Sequence, residues 1–332
     1  VMEAFMVLIP ALLAATVRMA TPLVFTTLGE LFSERAGMVN IGLDGLMAIG
    51  ALVGWLVGYF TGNLWLGVLA AIVAGILVNL IYAFCTIMLC GDQIVYGMAI
   101  NILAPALATF IYKVAFAGST ELVRGAAMPA LPIPLLCDIP VVGKALFSQT
   151  ALGYLACLLI FASWWFFARF HKGLDYRAVG ENPRAAESLG VDVIRTKYLG
   201  CIVCGALSGL SGAFLTLCYT STYAEGVVAG RGFIALSAVI FGRWCPQGVL
   251  GACLLFGFCD ALQITLQVQA SQVPYQLFQM IPYLVTLGVL MSLAGKDGFS
   301  RVIGAWIPVC FVVTCGFNHS IADMTYCMLG LF

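Results

Sequence analysis

Long apolar runs, interrupted by short polar islands, set the reading of this chain. The runs cover 11–30, 38–60, 64–90, 94–116, 151–170, 197–220, 247–267, 275–293 and 303–331, with a shorter one at 233–243. A helix that crosses a bilayer needs roughly 20 apolar residues, and Leu64 to Cys90 meets that without a single charge. Backbone groups in lipid have to be satisfied within the segment, so the runs predict helices. The alternating pattern of a membrane barrel is not seen. Residues 233–243 are too few to span and are flanked by Gly230, Gly232, Gly242 and Pro246, which predicts a half-helix. The expected fold is all-α, a polytopic transmembrane bundle of about 8–10 spanning segments, some of them broken. A weak internal echo links 29–54 with 225–257, each a polar glycine motif followed by a glycine-rich helix.

Composition agrees with this pattern. Hydrophobic residues make up 62% of the chain and charged residues 9%, against about 25% charged in ordinary soluble domains. Membrane lipid, rather than water, is the expected surroundings. Net charge is zero, which removes any argument for nucleic acid. The thirteen cysteines are scattered through apolar runs and read as small hydrophobes. Cys201 and Cys204 form a lone pair without a second pair at zinc spacing, so no metal site is expected. Residues 1–30 read as a first spanning helix, not a removed signal peptide, and Val1 fits an alternative start codon or a clipped end.

Basic residues set the orientation. The stretch 171–197 has Lys172, Arg177, Arg184, Arg195 and Lys197, five of the fifteen basic residues, whereas 117–150 has only Arg124 and Lys144. Basic loops stay in the cytoplasm, so 171–197 is expected inside and 117–150 outside.

Charges and amides at membrane depth are costly and mark candidate sites. Asn40 and Asp44 fall within the run 38–60, beside Gly37, Gly42 and Gly45, which are expected to break the helix. Two readings compete for Asp44: a polar wall of a substrate path, or an internal ion pair with Arg35 or Arg231. Glu34 and Arg35 are expected near an interface or paired locally. Asp92 and Gln93 mark a short inside turn, and Asn101 follows on the next helix, lining a path or bonding a neighbour. Asp260, Gln263 and Gln267 recur at helical spacing, so they share one face. In the basic stretch, Asn182 suits an N-cap and Pro183 the first helical turn. Ala185, Ala186 and Leu189 would give a small apolar face ended by Gly190, a short helix suited to receive a push from a motor; a solvated linker is the alternative. No nucleophile motif, phosphate loop or nucleotide fingerprint stands out, and the only histidines are His171 and His319. An enzyme is therefore not expected.

Several motifs resemble a known family. Residues 28–51 (LGELFSERAGMVNIGLDGLMAIGA), 92–101 (DQIVYGMAIN), 179–190 (VGENPRAAESLG) and 230–248 (GRGFIALSAVIFGRWCPQG) are similar to the signatures of permease subunits of nucleoside and simple-sugar ABC importers, in the branched-chain amino acid and ribose-type permease superfamily. The resemblance runs in order over about 10–293, with Asp44 where members often have Glu. It implies a multi-pass inner-membrane permease that moves nucleosides, or simple sugars, by alternating access. The implied partners are a cytoplasmic ATPase subunit, a second permease subunit and a substrate-binding lipoprotein. No cofactor is expected on this chain, since the partner subunit uses the ATP. On this footing Asn40, Asp44, Gln93 and Asn101 are candidate substrate-path residues. Gly180, Glu181, Asn182, Arg184, Ala185, Ala186 and Gly190 are candidates for the ATPase docking loop.

The tail differs. Residues 305–324 (AWIPVCFVVTCGFNHSIADM) look like the segment around the pore histidine of formate/nitrite channels, with Asn318 and Asp323 where that family has Glu and Asn. The expected division is a permease domain over 1–295 and an extra hydrophobic segment over 296–332, read as a fusion or chimera in which His319 is a relic. A passive formate/nitrite-type anion channel is the rival function.

Overall fold

A computed structural model describes residues 2–116, 124–132, 148–269 and 284–285. The described helices are α1 (Met2–Arg35), α2 (Leu43–Thr61), α3 (Leu64–Ala83, continued by a π-helical turn Phe84–Met88), α4 (Gln93–Ala115), α5 (Ala151–Arg169), α6 (His171–Glu181), α7 (Pro183–Ser188), α8 (Val193–Phe214, continued by a π-helical turn Leu215–Thr220), α9 (Arg231–Phe241) and α10 (Pro246–Gln269). Two short strands, β1 (Ala130–Pro132) and β2 (Ser148–Thr150), pair antiparallel with Leu131 opposite Gln149. Among the described residues, seven helices are long and apolar enough to cross a membrane, and the chain is a multi-pass membrane protein. The expected runs 275–293 and 303–331 lie outside the described residues, apart from the helical pair 284–285.

Local chemistry sets the helix ends. Asn63 caps α3 by accepting from Trp65 N at 3.0 Å, and Asp92 caps α4 by accepting from Ile94 N at 2.8 Å. Asn182 caps α7 by accepting from Ala185 N at 3.2 Å with Pro183 in the first turn, and Asp192 caps α8 by accepting from Arg195 N at 3.0 Å. Each side chain satisfies a helix-end amide that has no partner within its own helix. Threonine hydroxyls of α1 donate to carbonyls four residues back, such as Thr27 to Leu23 O at 2.6 Å. These polar groups therefore remain bonded inside an apolar bundle.

α2, α3 and α8 form the tightest packing, and small residues make it possible. A Cβ on Gly205 of α8 would lie 2.6 Å from the Gly75 carbonyl oxygen and 2.7 Å from Asn79 Cβ, both on α3. A Cβ on Gly67 of α3 would lie 2.5 Å from the Gly54 carbonyl oxygen of α2. Backbone against backbone is how membrane helices gain contact where lipid is as apolar as leucine. α1 packs on α8 and α10, while α4 lies mainly along α2. Outward, Trp65, Leu69, Val73, Leu77 and Ile81 recur every four residues along α3 and are exposed, as a lipid-facing stripe requires.

Two departures from the expected pattern matter. The run 38–60 is helical only from Leu43, and residues 36–42 turn back beside the last turns of α1. Gly37, at φ +79°, makes that turn. Gly45 does not break the helix. It lies within α2, where a Cβ would meet the Ile100 carbonyl oxygen of α4 at 2.6 Å. The short run 233–243 is a half-helix as expected, the 11-residue α9, about 16 Å long and thus about half of a hydrocarbon core.

Replacing Gly205 by Val is expected to destabilise the bundle by about 1–3 kcal/mol, the usual cost of overpacking. Gly251→Val, at a site with nothing within 4 Å, is the matched control. Thermal melts of both variants in detergent, followed by intrinsic fluorescence, test the difference.

Candidate functional site

The turned-back segment 36–42 is held by a buried polar network from four parts of the chain. Glu30, Ser33, Asn40 and Asn79 are all fully buried. Asn40 N donates to Glu30 Oε1 at 2.7 Å, and Asn40 Nδ2 donates to Asn79 Oδ1 at 2.7 Å. Asn40 Oδ1 accepts from Gly42 N at 2.9 Å. Asn79 Nδ2 donates to Cys201 O at 2.5 Å, and the Cys204 thiol lies 3.4 Å from Glu30 Oε2. Ser33 Oγ donates to Met38 O at 2.7 Å, and the Tyr82 hydroxyl donates to Val39 O at 2.6 Å. α1, α3 and α8 thereby grip one irregular strand of backbone in a dry interior, where every unmade bond is costly.

Gln93 and Asn101 of α4 hold the same segment from the other side. Gln93 Oε1 accepts from Val39 N at 2.8 Å. Asn101 Oδ1 accepts from Gly45 N at 2.8 Å, and its Nδ2 donates to Ile41 O at 2.7 Å. Asp44, in the first turn of α2, accepts from Gly232 N of α9 at 3.1 Å. It therefore sits at two helix N-termini, where a negative charge is favoured.

The four residues Asn40, Asp44, Gln93 and Asn101 are thus brought around one break in the helix. Asn40 is enclosed, with its amide engaged on both sides, whereas Asp44, Gln93 and Asn101 are partly exposed. The ion-pair reading of Asp44 is not what the geometry shows. Arg35 instead donates from Nε at 3.0 Å and Nη2 at 2.5 Å to Trp244 O. Arg231 lies within electrostatic reach of Asp44 and Asp260, but its Nη1 donates to Val227 O and Val228 O at 3.2 and 3.3 Å. Glu34 accepts the Trp244 indole N–H. Glu34 and Arg35, expected near an interface, are thus tied across the fold. Asp260 and Gln263 are half-buried and Gln267 is exposed, so their shared face runs outward along α10.

The basic stretch 171–197 forms α6, α7 and the start of α8. Gly180 packs on the Arg35 carbonyl, and a Cβ on Gly37 would lie 3.4 Å from Gly180 Cα. Tyr176 packs edge-on to Phe32 at 6.2 Å, and burial pushes its phenol up to about 12. Glu181, Asn182, Arg184, Ala185 and Gly190 are exposed, and Ala186 is buried. The expected apolar face of α7 is therefore divided. Ala186 packs inward, while Leu189 is 81% exposed, and Phe170, Leu174 and Ile194 are exposed nearby in sequence.

Glu30, Asn79, Tyr82 and Trp244 were not anticipated as parts of this arrangement. A lone Asn inside a charge-free run was the available signal for Asn79. Glu30 was masked by its position at the end of an apolar run. Away from this region, a cavity of about 200 Å³ beside β1 and β2 is lined by Arg18, Met128, Ser148, Thr150, Phe214 and Cys218, none of them part of the network. Among the described residues, no cluster of His, Cys, Asp or Glu is suited to a metal ion.

Comparison with known proteins adds a family. Residues 12–290 match the family described as branched-chain amino acid transport system / permease component. Residues 282–332 match the formate/nitrite transporter family. The chain is 38% identical to the guanosine ABC transporter permease protein NupQ of Bacillus subtilis, covering 87% of this chain and 94% of NupQ. It is 37% identical to the nucleoside ABC transporter permease protein NupC of Lactococcus lactis, covering 83% and 90%. It is 40% identical to the putative glucose ABC transporter permease protein TsgC13 of Haloferax volcanii, covering 77% and 78%. No solved structure matches the chain.

Replacing Asn79 by Leu would strand Asn40 Nδ2, leaving it only the Cys204 sulfur at 3.9 Å. The expected loss is about 1–3 kcal/mol. Unfolding in mixed micelles with rising SDS should show an earlier midpoint for Asn79→Leu than for the parent.

Proposed function

The chain belongs to the family of branched-chain amino acid transport system permease components, and from that membership we propose that it is the membrane-spanning permease of an ATP-driven importer of nucleosides. The observation that carries the reading is its likeness, along more than four-fifths of its length, to permeases named for guanosine and nucleoside transport. Simple sugars are the second substrate class, supported by the likeness to TsgC13. ATP hydrolysis is assigned to a separate cytoplasmic ATPase subunit. A second permease subunit and a substrate-binding lipoprotein complete the proposed complex, in the inner membrane. No cofactor is assigned to this chain.

In this reading α6 and α7 face the cytoplasm and carry the ATPase docking surface. Exposed Glu181, Arg184, Leu174 and Leu189 supply both charge and apolar area for it. The substrate path runs along the side where Asp44, Gln93 and Asn101 are partly open. Asn40 shapes that wall from behind. Carboxylate and amide groups can accept and donate to a nucleobase or to sugar hydroxyls, and neither demands a charged substrate. The match over 282–332 supports reading the tail as an appended segment.

The test is uptake into proteoliposomes that contain the permease with its ATPase and second permease, supplied with the substrate-binding lipoprotein. Labelled guanosine should accumulate only with ATP, and formate should not enter. Guanosine or formate entry without ATP would overturn the reading. The double substitution Glu181→Ala and Arg184→Ala is expected to lower uptake about tenfold, equal to about 1.4 kcal/mol of coupling. Helical content by circular dichroism should be unchanged.

A further inference from the structure

The geometry points to Trp244 as a positioning residue that carries movement of the α6–α7 surface to the half-helix α9, and through α9 to Asp44. The inference rests on the docking role proposed above for α6 and α7.

α9 hangs between two left-handed backbone pairs. Ala229 and Gly230 precede it at φ +51° and +74°, and Arg243 and Trp244 follow it at +53° and +54°. Three of these four residues carry a side chain, which disfavours that region of backbone space. Such outliers persist only where surrounding contacts over-determine them. At Trp244 those contacts are explicit. The last turn of α1 grips the residue at both ends: Glu34 accepts the indole N–H, and Arg35 donates two hydrogen bonds to the main-chain carbonyl.

The same turn of α1 is the seat of α6. Gly180 packs directly on the Arg35 carbonyl, and Arg177 and Glu181 lie within electrostatic reach of the Arg35 guanidinium. At the far end of α9, Gly232 N donates to Asp44, and a Cβ on Gly232 would lie 2.6 Å from Asp44 Cα. A displacement of α6 therefore reaches Arg35 through backbone contact, Trp244 through three hydrogen bonds, and Asp44 through an 11-residue rigid helix. Trp244 is the step at which side-chain bonds join the last turn of α1 to the end of α9. It also sits on a strained turn able to relax when those bonds let go, the kind of two-state element a coupling path requires.

The experiment uses the intact importer complex in nanodiscs, followed by hydrogen–deuterium exchange with and without ATP plus vanadate. In the parent, exchange should change both over 171–190 and over 231–241. In Trp244→Phe, which keeps the ring and the main-chain carbonyl held by Arg35 but loses the indole donor, the change over 171–190 should remain and that over 231–241 should shrink. Uptake per ATP hydrolysed should fall about tenfold, within the range typical of coupling between sites. Glu34→Leu removes the acceptor instead and should give the same split. It also serves as the test should Trp244→Phe fail to assemble. An unchanged response over 231–241 in the assembled variant, or a parent response confined to 171–190, overturns the inference. A parent with no response over 171–190 overturns the docking role itself.

Discussion

A carboxyl group sealed inside the bundle organises the centre of this molecule. Glu30 has no exposure to solvent and meets the main-chain amide of Asn40 at 2.7 Å. That bond ties the irregular segment 36–42 to α1, while Asn79 and Tyr82 tie it to α3. Irregular backbone at membrane depth survives only where protein supplies its hydrogen bonds, and here three helices and the amides of α4 supply them. The start of α2, the placement of Asp44 and the docking of α9 all follow from where that segment is pinned.

Much of this was legible in the chain, for physical reasons that differ by element. The spanning helices are long apolar runs, and lipid permits few alternatives for such runs. α9 was legible because its run is short and bounded by glycine and proline. The cap at Asn182 was legible because a short polar side chain before a proline-led helix has few other uses, whereas Asp92 was read as a turn residue and caps α4. The exact break was not. Residues 38–42 are as apolar as a helix, and only the distant partners Glu30, Asn79 and Asn101 make them irregular. Gly45 looked like a breaker for the same reason that it is a packing residue: a missing side chain serves either purpose, and only the neighbouring backbone of α4 decides.

Asp44 shows a similar limit. An acid in an apolar run invites a search for a basic partner, and Arg35 and Arg231 were both available. The fold instead offers it the ends of two helices, whose peptide dipoles no count of charged residues reveals. Trp244 was hidden more deeply. The motif around it gives the indole no chemical role, and its partners Glu34 and Arg35 are more than 200 positions away.

The glycine contacts among α2, α3 and α8 carry a mechanical consequence. Helices whose backbones touch cannot slide or tilt against each other without collision, and they leave no gap between them for a solute. These three segments therefore behave as a chassis. Any alternation of access has to be carried by the parts that meet this core over less of their length: α4, α9 and the pair α6–α7.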